Sequence, residues 1–245
     1  EPTVVPFFDE MGIATQHIAV GANHTCMISS EGELYCWGDN RSGQVAPSSV
    51  QTTIKDPARI APERRFVSVS AGDTHTCAIT IDGELLCWGT GSQGQLGLGL
   101  MEKANEPTRV SEFRFFRVDA GPTHTCAVSF DKRLFCWGDD SFGKLGNGAA
   151  EGTGQPDEIA VESSDGAGNV RFEHVIVGEV ATCAIPAFTT GGAPSELYCW
   201  GRGELFENGL VDPNNMMSFE PRTSPEVVSW PSFGTASPDS LKSAS

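Results

Sequence analysis

The sequence repeats itself four times, and cysteine keeps the register. Cys26, Cys77, Cys126 and Cys183 each follow a Gly-x-x-x-Thr segment. Cys36, Cys87, Cys136 and Cys199 each sit inside Leu-x-Cys-Trp-Gly. Successive first cysteines lie 51, 49 and 57 residues apart. Repeats at such a period are the signature of stacked supersecondary units, and this period suits a blade of four short strands. Alternating apolar stretches such as Phe66-Val67-Ser68-Val69, Cys77-Ala78-Ile79-Thr80 and Leu85-Leu86-Cys87-Trp88 read as strands. The 28 glycines point to many tight turns rather than long helices.

Hairpin geometry explains the spacing of ten between the first three cysteine pairs. With Ile81-Asp82-Gly83 as a three-residue loop and Gly83 left-handed, Thr80 faces Glu84, Ala78 faces Leu86 and Cys77 faces Cys87. Opposed Cβ atoms lie ~4.5–5.5 Å apart, near the ~3.5–4.5 Å a disulfide wants. Ser30-Glu31-Gly32 repeats the turn, whereas Lys132 stands where glycine is expected, so that turn should differ or carry strain. The fourth unit spaces its pair by sixteen and so carries a longer loop with Gly191 and Gly192. The expected bridges are Cys26–Cys36, Cys77–Cys87, Cys126–Cys136 and Cys183–Cys199. Each would add roughly 2–3 kcal/mol by restricting the unfolded chain. Zinc, the rival, normally takes ligand pairs about two to four residues apart, and no Cys-x-x-Cys is present. A disulfide framework implies an extracellular, periplasmic or other oxidising compartment.

A last strand in each unit begins at a proline: Pro57-Ala58-Arg59-Ile60, Pro107-Thr108-Arg109-Val110 and Pro156-Asp157-Glu158-Ile159. Proline is tolerated at a strand's first residue or on an edge. Glu1-Pro2-Thr3-Val4-Val5 and Glu220-Pro221-Arg222-Thr223 match the same place, as if the chain were phased like units cut from an array. The repeats are assigned to residues 1–231, with units about 17–66, 67–116, 117–172 and 173–228, and residues 232–245 to a Ser-rich tail.

Acidic residues number 32 and basic ones 16, giving a net charge of −16. That field repels nucleic acid and anionic membrane surfaces. No apolar run approaches the ~18–20 residues of a membrane span. His24, His75 and His124 are repeat-equivalent. They are expected to bond backbone within or between blades, a three-His metal site being the rival. Trp37, Trp88, Trp137 and Trp200 are expected to pack between blades. Asp39-Asn40 and Asp139-Asp140 read as solvated turns rather than calcium ligands. Asn23-His24-Thr25 and Asn40-Arg41-Ser42 are glycosylation sequons, Asn40 being the better placed on turn grounds. There is no Gly-x-Ser-x-Gly, phosphate loop or His-Glu-x-x-His, and every cysteine has a repeat partner. No catalytic residue, metal or cofactor is assigned.

The segment Gly72-x-x-His-Thr-Cys77, a turn, Leu85-x-Cys-Trp-Gly89 and Ser92-x-Gly-Gln-Leu-Gly97 resembles the regulator of chromosome condensation repeat. The resemblance covers about residues 17–210. It implies an all-β fold, a β-propeller with four recognisable blades and an incomplete ring, since the family commonly has seven. Cysteines at both hairpin positions resemble the family's extracellular branch, found in secreted bacterial proteins and plant receptor ectodomains. The founding member's exchange activity on a GTPase is not implied by the repeat. The first unit departs at Gly43-Gln44-Val45-Ala46 and the fourth at Ala181, where histidine is expected. The function expected is a non-enzymatic extracellular protein-binding scaffold, a subunit of a larger assembly or part of a receptor-like ectodomain. Its partner would be a protein, further repeats or another subunit. A secreted enzyme-inhibitor propeller and a glycan-binding propeller are the alternatives. The irregular stretches Ala46–Lys55, Ala149–Asn169, Ala187–Ser195 and Phe206–Ser218 are the expected contact regions.

Overall fold

A computed structural model describes residues 5–46, 48–99, 102–149, 151–163, 166, 168–187, 197–202 and 222–228. Glu1–Val4, Gly191, Gly192, Glu220, Pro221 and the 232–245 tail lie outside them, as do all of the Phe206–Ser218 stretch and all but Ala187 of the Ala187–Ser195 stretch.

Four antiparallel sheets of four strands follow one another in chain order. Blade 1 comprises β1 (Thr15–Val20), β2 (His24–Ser29), β3 (Leu34–Asp39) and β4 (Thr53–Ile60). Blade 2 comprises β5 (Phe66–Ala71), β6 (His75–Thr80), β7 (Leu85–Thr90) and β8 (Lys103–Arg109). Blade 3 comprises β9 (Phe115–Ala120), β10 (His124–Ser129), β11 (Leu134–Gly138) and β12 (Thr153–Glu158). Blade 4 comprises β13 (Phe172–Val177), β14 (Ala181–Pro186), β15 (Tyr198–Gly201) and β16 (Arg222–Val227). Each blade packs on the next, chiefly through its inner strands. The array is an open arc of a β-propeller.

The central hairpins have the register the turn chemistry requires. Cys77 pairs with Cys87, Ala78 with Leu86 and Ile79 with Leu85. Gly83 is left-handed at φ 80°, and its N–H donates to Thr80 O at 2.8 Å. Lys132 adopts the same turn rather than a different one. It takes φ 65° and donates its N–H to Ser129 O at 2.8 Å. The strain of a left-handed lysine is met by its ammonium, 2.7 Å from Glu173 Oε2 and 4.0 Å from the centre of the Phe116 ring.

Two expectations about the outer strands are corrected. Proline does not open them. β4, β8 and β12 begin three or four residues earlier, at Thr53, Lys103 and Thr153. Pro57, Pro107 and Pro156 sit within a bulge, where three residues oppose the single tryptophan between cysteine and glycine. The outer edge tolerates this because no fifth strand needs proline's missing N–H. In blade 4 the equivalent proline is Pro225, not Pro221: Glu226 pairs with Cys199 as Asp157 pairs with Cys136. At the other end, Val5 belongs to no strand. It precedes α1 (Pro6–Glu10), a short helix with Pro at its start.

Candidate functional site

The four sulfur bridges join Cys26 to Cys36, Cys77 to Cys87, Cys126 to Cys136 and Cys183 to Cys199. Each clamps the two middle strands of one blade. What joins blade to blade is a different device, repeated three times.

His24 Nε2 lies 2.8 Å from the hydroxyl of Thr76 in the next blade. His75 reaches Thr125 and His124 reaches Thr182, both also at 2.8 Å. Each threonine then donates to a carbonyl of the preceding blade: Thr76 to Gln44 O at 2.7 Å, Thr125 to Gln95 O at 2.9 Å and Thr182 to Lys144 O at 2.8 Å. The same carbonyls accept the indole N–H of Trp88, Trp137 and Trp200 at 3.0, 2.9 and 2.9 Å. The hydroxyl spends its one proton on the carbonyl, so it accepts from the imidazole, and the proton sits on Nε2. The histidines therefore bond a side chain of the next blade, not backbone, because the threonine before each cysteine points into the joint.

These imidazoles are buried and neutral. Loss of solvation lowers the pKa of His75 and His124 to about 3 and that of His24 to about 4, with Asp39 partly opposing the shift at His24. Among the described residues, no group of three His, Cys, Asp or Glu is placed to hold a metal ion.

Glycine completes the joint. A Cβ on Gly72 would meet Gly121 O at 2.5 Å, and one on Gly121 would meet Gly178 O at 2.7 Å. Nearer the axis, Ser70 Oγ accepts from Ala120 N at 3.0 Å and donates to Asp119 at 2.9 Å. Asp119 in turn accepts from Val177 N at 2.7 Å, which ties three blades together. The four inner strands border an axial groove of about 430 Å³, into which the equivalent positions His17, Ser68, Arg117 and His174 are set. The threonines, the relay carbonyls, Ser70 and Asp119 were not singled out from the sequence. Two signals were available: the repeated Thr before cysteine, and Gln44, Gln95 and Lys144, each seven residues after a tryptophan.

Three other expectations are corrected. Asn40 and Asp140 do not lie in solvated turns. Both are buried and organise the loop that follows them, Asn40 accepting from Val45 N and Ala46 N and Asp140 from Leu145 N. Asn40 Nδ2 is spent on Ala46 O and Gln51 O, so the exposed sequon asparagine is Asn23. Among the described residues Trp37 packs under α1 rather than against another blade, with Phe8 5.6 Å from its ring.

The described blades present two unlike outer faces. The leading face of blade 1 exposes Ile18 by 58 % and Val20 by 72 %, where the equivalent Val69, Val118, Ala71 and Ala120 of inner joints are exposed by 8 % or less. The trailing face of blade 4 exposes Ile176 by 63 % and carries Ala181 in the latch position.

The regulator of chromosome condensation (RCC1) repeat is matched at residues 16–44, 66–95 and 117–144 by one family model and at 31–79 and 82–128 by a second. The chain is 36 % identical over 110 residues to the ultraviolet-B receptor UVR8 of Arabidopsis thaliana, a match spanning 44 % of this chain and 25 % of the receptor. It is 32 % identical over 103 residues to the mouse (Mus musculus) regulator of chromosome condensation, spanning 42 % of this chain and 24 % of that protein. Among solved structures, Prp20p from Saccharomyces cerevisiae superposes with a TM-score of 0.72 at 23 % identity, covering 89 % of this chain and 52 % of that one. Human WBSCR16 gives 0.71 at 20 % identity, covering 88 % and 52 %. The chain thus spans about a quarter of these curated relatives and about half of these structures, and the structural likeness is one of fold. Repeat motif, hairpin register and blade order agree: the chain belongs to the regulator of chromosome condensation (RCC1) repeat family.

Proposed function

We propose that this chain is a non-enzymatic, extracellular protein-binding scaffold, working as a subunit of a larger assembly or as part of a receptor-like ectodomain. The observation that carries the reading is the pair of open blade faces. Each presents apolar side chains that the inner joints bury, and rigid repeat arrays bind through surfaces of this kind. RCC1-type propellers bind proteins, as Prp20p binds Gsp1p and histones. Four disulfides support an oxidising compartment.

A glycan site would stack sugars on aromatic rings beside clustered carboxylates. Among the described residues the axial groove is lined by no Phe, Tyr or Trp, and the one carboxylate there, Asp119, is occupied by Ser70 and Val177. That supports a protein partner over a sugar. The experiment is affinity capture from the native extracellular fraction, using the intact chain and a variant with Ile18 and Ile176 both changed to Asp. A protein retained by the first and lost by the second supports the scaffold. Retention of glycan alone, or of nothing, overturns it.

A further inference from the structure

We infer that the hairpin-turn face of blades 2 to 4 is a docking surface for a protein segment that carries carboxylates beside apolar side chains. This surface lies across joints between described blades, so it is the same whatever covers the two outer faces. It goes beyond the scaffold reading by adding a second surface and naming the chemistry that fits it.

The residue just before each inner strand stands beside the hairpin turn of the preceding blade. In blades 2, 3 and 4 it is Arg65, Arg114 and Arg171, whose carbonyls accept from Ile81 N, Phe130 N and Ala187 N. The next residue, Phe66, Phe115 or Phe172, donates its N–H to the last turn residue of the blade before, Gly32, Gly83 or Lys132. A Cβ on Gly32 would meet Arg65 Cβ, and one on Gly83 would meet Arg114 Cβ, both at 3.3 Å. Blade 1 holds Ala14 at this place, so the fold does not require arginine there.

All three arginines are exposed. Arg114 lies 3.2 Å from Glu84 Oε1. Arg65 donates to the carbonyls of Pro62 and Arg64, and among the described residues neither Arg65 nor Arg171 has a carboxylate within ion-pair reach. The chain has 32 acidic residues to 16 basic ones, yet these two guanidinium groups are left for an external carboxylate. Beside them lies apolar surface. Ile81 is exposed by 67 % and Phe130 by 60 %. The Phe130 ring lies 5.9 Å from that of Phe116 and rests on Gly83, in the turn that Ile81 opens. The positions of Phe116 and Phe130 hold Gln16 and Ser30 in blade 1 and Glu173 and Ala187 in blade 4, so the blade does not need aromatic rings there. Exposed apolar side chains rimmed by arginine have the composition of a protein interface.

Charge decides the occupant. Arginine's planar fork takes a carboxylate through two parallel hydrogen bonds. A phosphate polyanion would meet the exposed Glu31, Asp82 and Asp131 at the middle of the three turns, and a net charge of −16. The same charge confines attraction to direct pairs, so the fitting segment offers a few carboxylates among apolar side chains rather than a long acidic run.

Selection of a random peptide library, displayed on phage, against the intact oxidised chain tests this. The expected sequences combine Asp or Glu with Phe, Leu or Trp. By fluorescence polarisation, the selected peptide should bind roughly tenfold more weakly to a variant with both Arg65→Gln and Arg171→Gln, and to Ile81→Ser. Melting curves of both variants should match the parent, because these side chains are exposed. The peptide remade with Gln for Glu and Asn for Asp should weaken likewise, and heparin should not displace the original. Recovery of no peptide, of sequences without acidic residues, or of binders indifferent to the arginine variants overturns the inference. So does displacement by heparin, which would mark a polyanion site. A partner captured through Ile18 and Ile176 while no peptide is held on the turn face would leave the scaffold reading standing and remove only this surface.

Discussion

The joint between blades 2 and 3 and the free end of blade 4 use equivalent positions and different residues. At the first, His75 is fully buried and bonded to Thr125, Gly72 lies under Gly121 O, and Ser70 bonds Ala120 N. At the second, the same positions hold Ala181, Gly178 and Ile176. A Cβ on Gly178 would meet only Ala181 O, at 3.1 Å. The comparison separates two jobs that one repeat performs. The disulfide hairpin holds a blade together and is present in all four. The His–Thr–carbonyl–Trp relay holds neighbours together and, among the described residues, is formed at the three joints between blades.

Tryptophan should show the contrast at its largest. Trp88→Ala removes a fully buried indole from an inner joint and should cost about 3–5 kcal/mol. Trp37→Ala, under the lightly seated α1, should cost less than half as much. Chemical denaturation midpoints of the two variants measure the gap, and equal costs would break the distinction between joint and end.

The glycine pair is next. Gly72→Ala forces a methyl against Gly121 O and should destabilise by about 1–3 kcal/mol. Gly178→Ala should be close to neutral by the same assay. A damaging Gly178→Ala would mean that the end of blade 4 is already occupied.

The latch can be read through pH. A neutral buried histidine in the fold and a protonated one in the unfolded chain make stability complete above the unfolded pKa of about 6.5. It then falls with pH toward the folded values of about 4 for His24 and about 3 for His75 and His124. The loss approaches about 1.4 kcal/mol per pH unit for each histidine. Urea midpoints between pH 7 and 5 should drop steeply, and less steeply in His75→Ala, which itself costs about 1–3 kcal/mol at pH 7. A flat wild-type profile would remove the latch from the account of the joint.

Lys132 should give the smallest effect. Relief of its left-handed strain, roughly 1 kcal/mol, opposes the loss of the pair with Glu173. Lys132→Gly should therefore change little alone, and should stabilise by about 1 kcal/mol in a Glu173→Gln background. A thermal-melt double-mutant cycle resolves the two contributions.

Much of this was legible in the chain because its signals are local. Leu-x-Cys-Trp-Gly, the turn glycines Gly32 and Gly83, and alternation over four to six residues specify hairpin, register and sulfur pairing within one blade. The motif points to Pro221 because the long fourth loop breaks the count, and only the ladder to Cys199 identifies Pro225. In the sequence Asn40 looks exposed because turn residues usually are. It is buried because its amide and carbonyl satisfy four backbone groups of its own loop.

By itself, then, the sequence determined the blade: a repeat of period near fifty, four strands, one clamp, and an acidic surface. Only the tertiary structure decided what the repeat-equivalent polar residues do. His24, His75 and His124 read alike whether they face solvent, a metal or a threonine, since the partner comes from a blade about fifty residues away. Likewise, Ile18 and Ile176 look like ordinary strand residues in the chain. Only the assembled blades set them apart, because a neighbouring blade covers the equivalent Val69 and Ser70 and leaves Ile18 and Ile176 exposed.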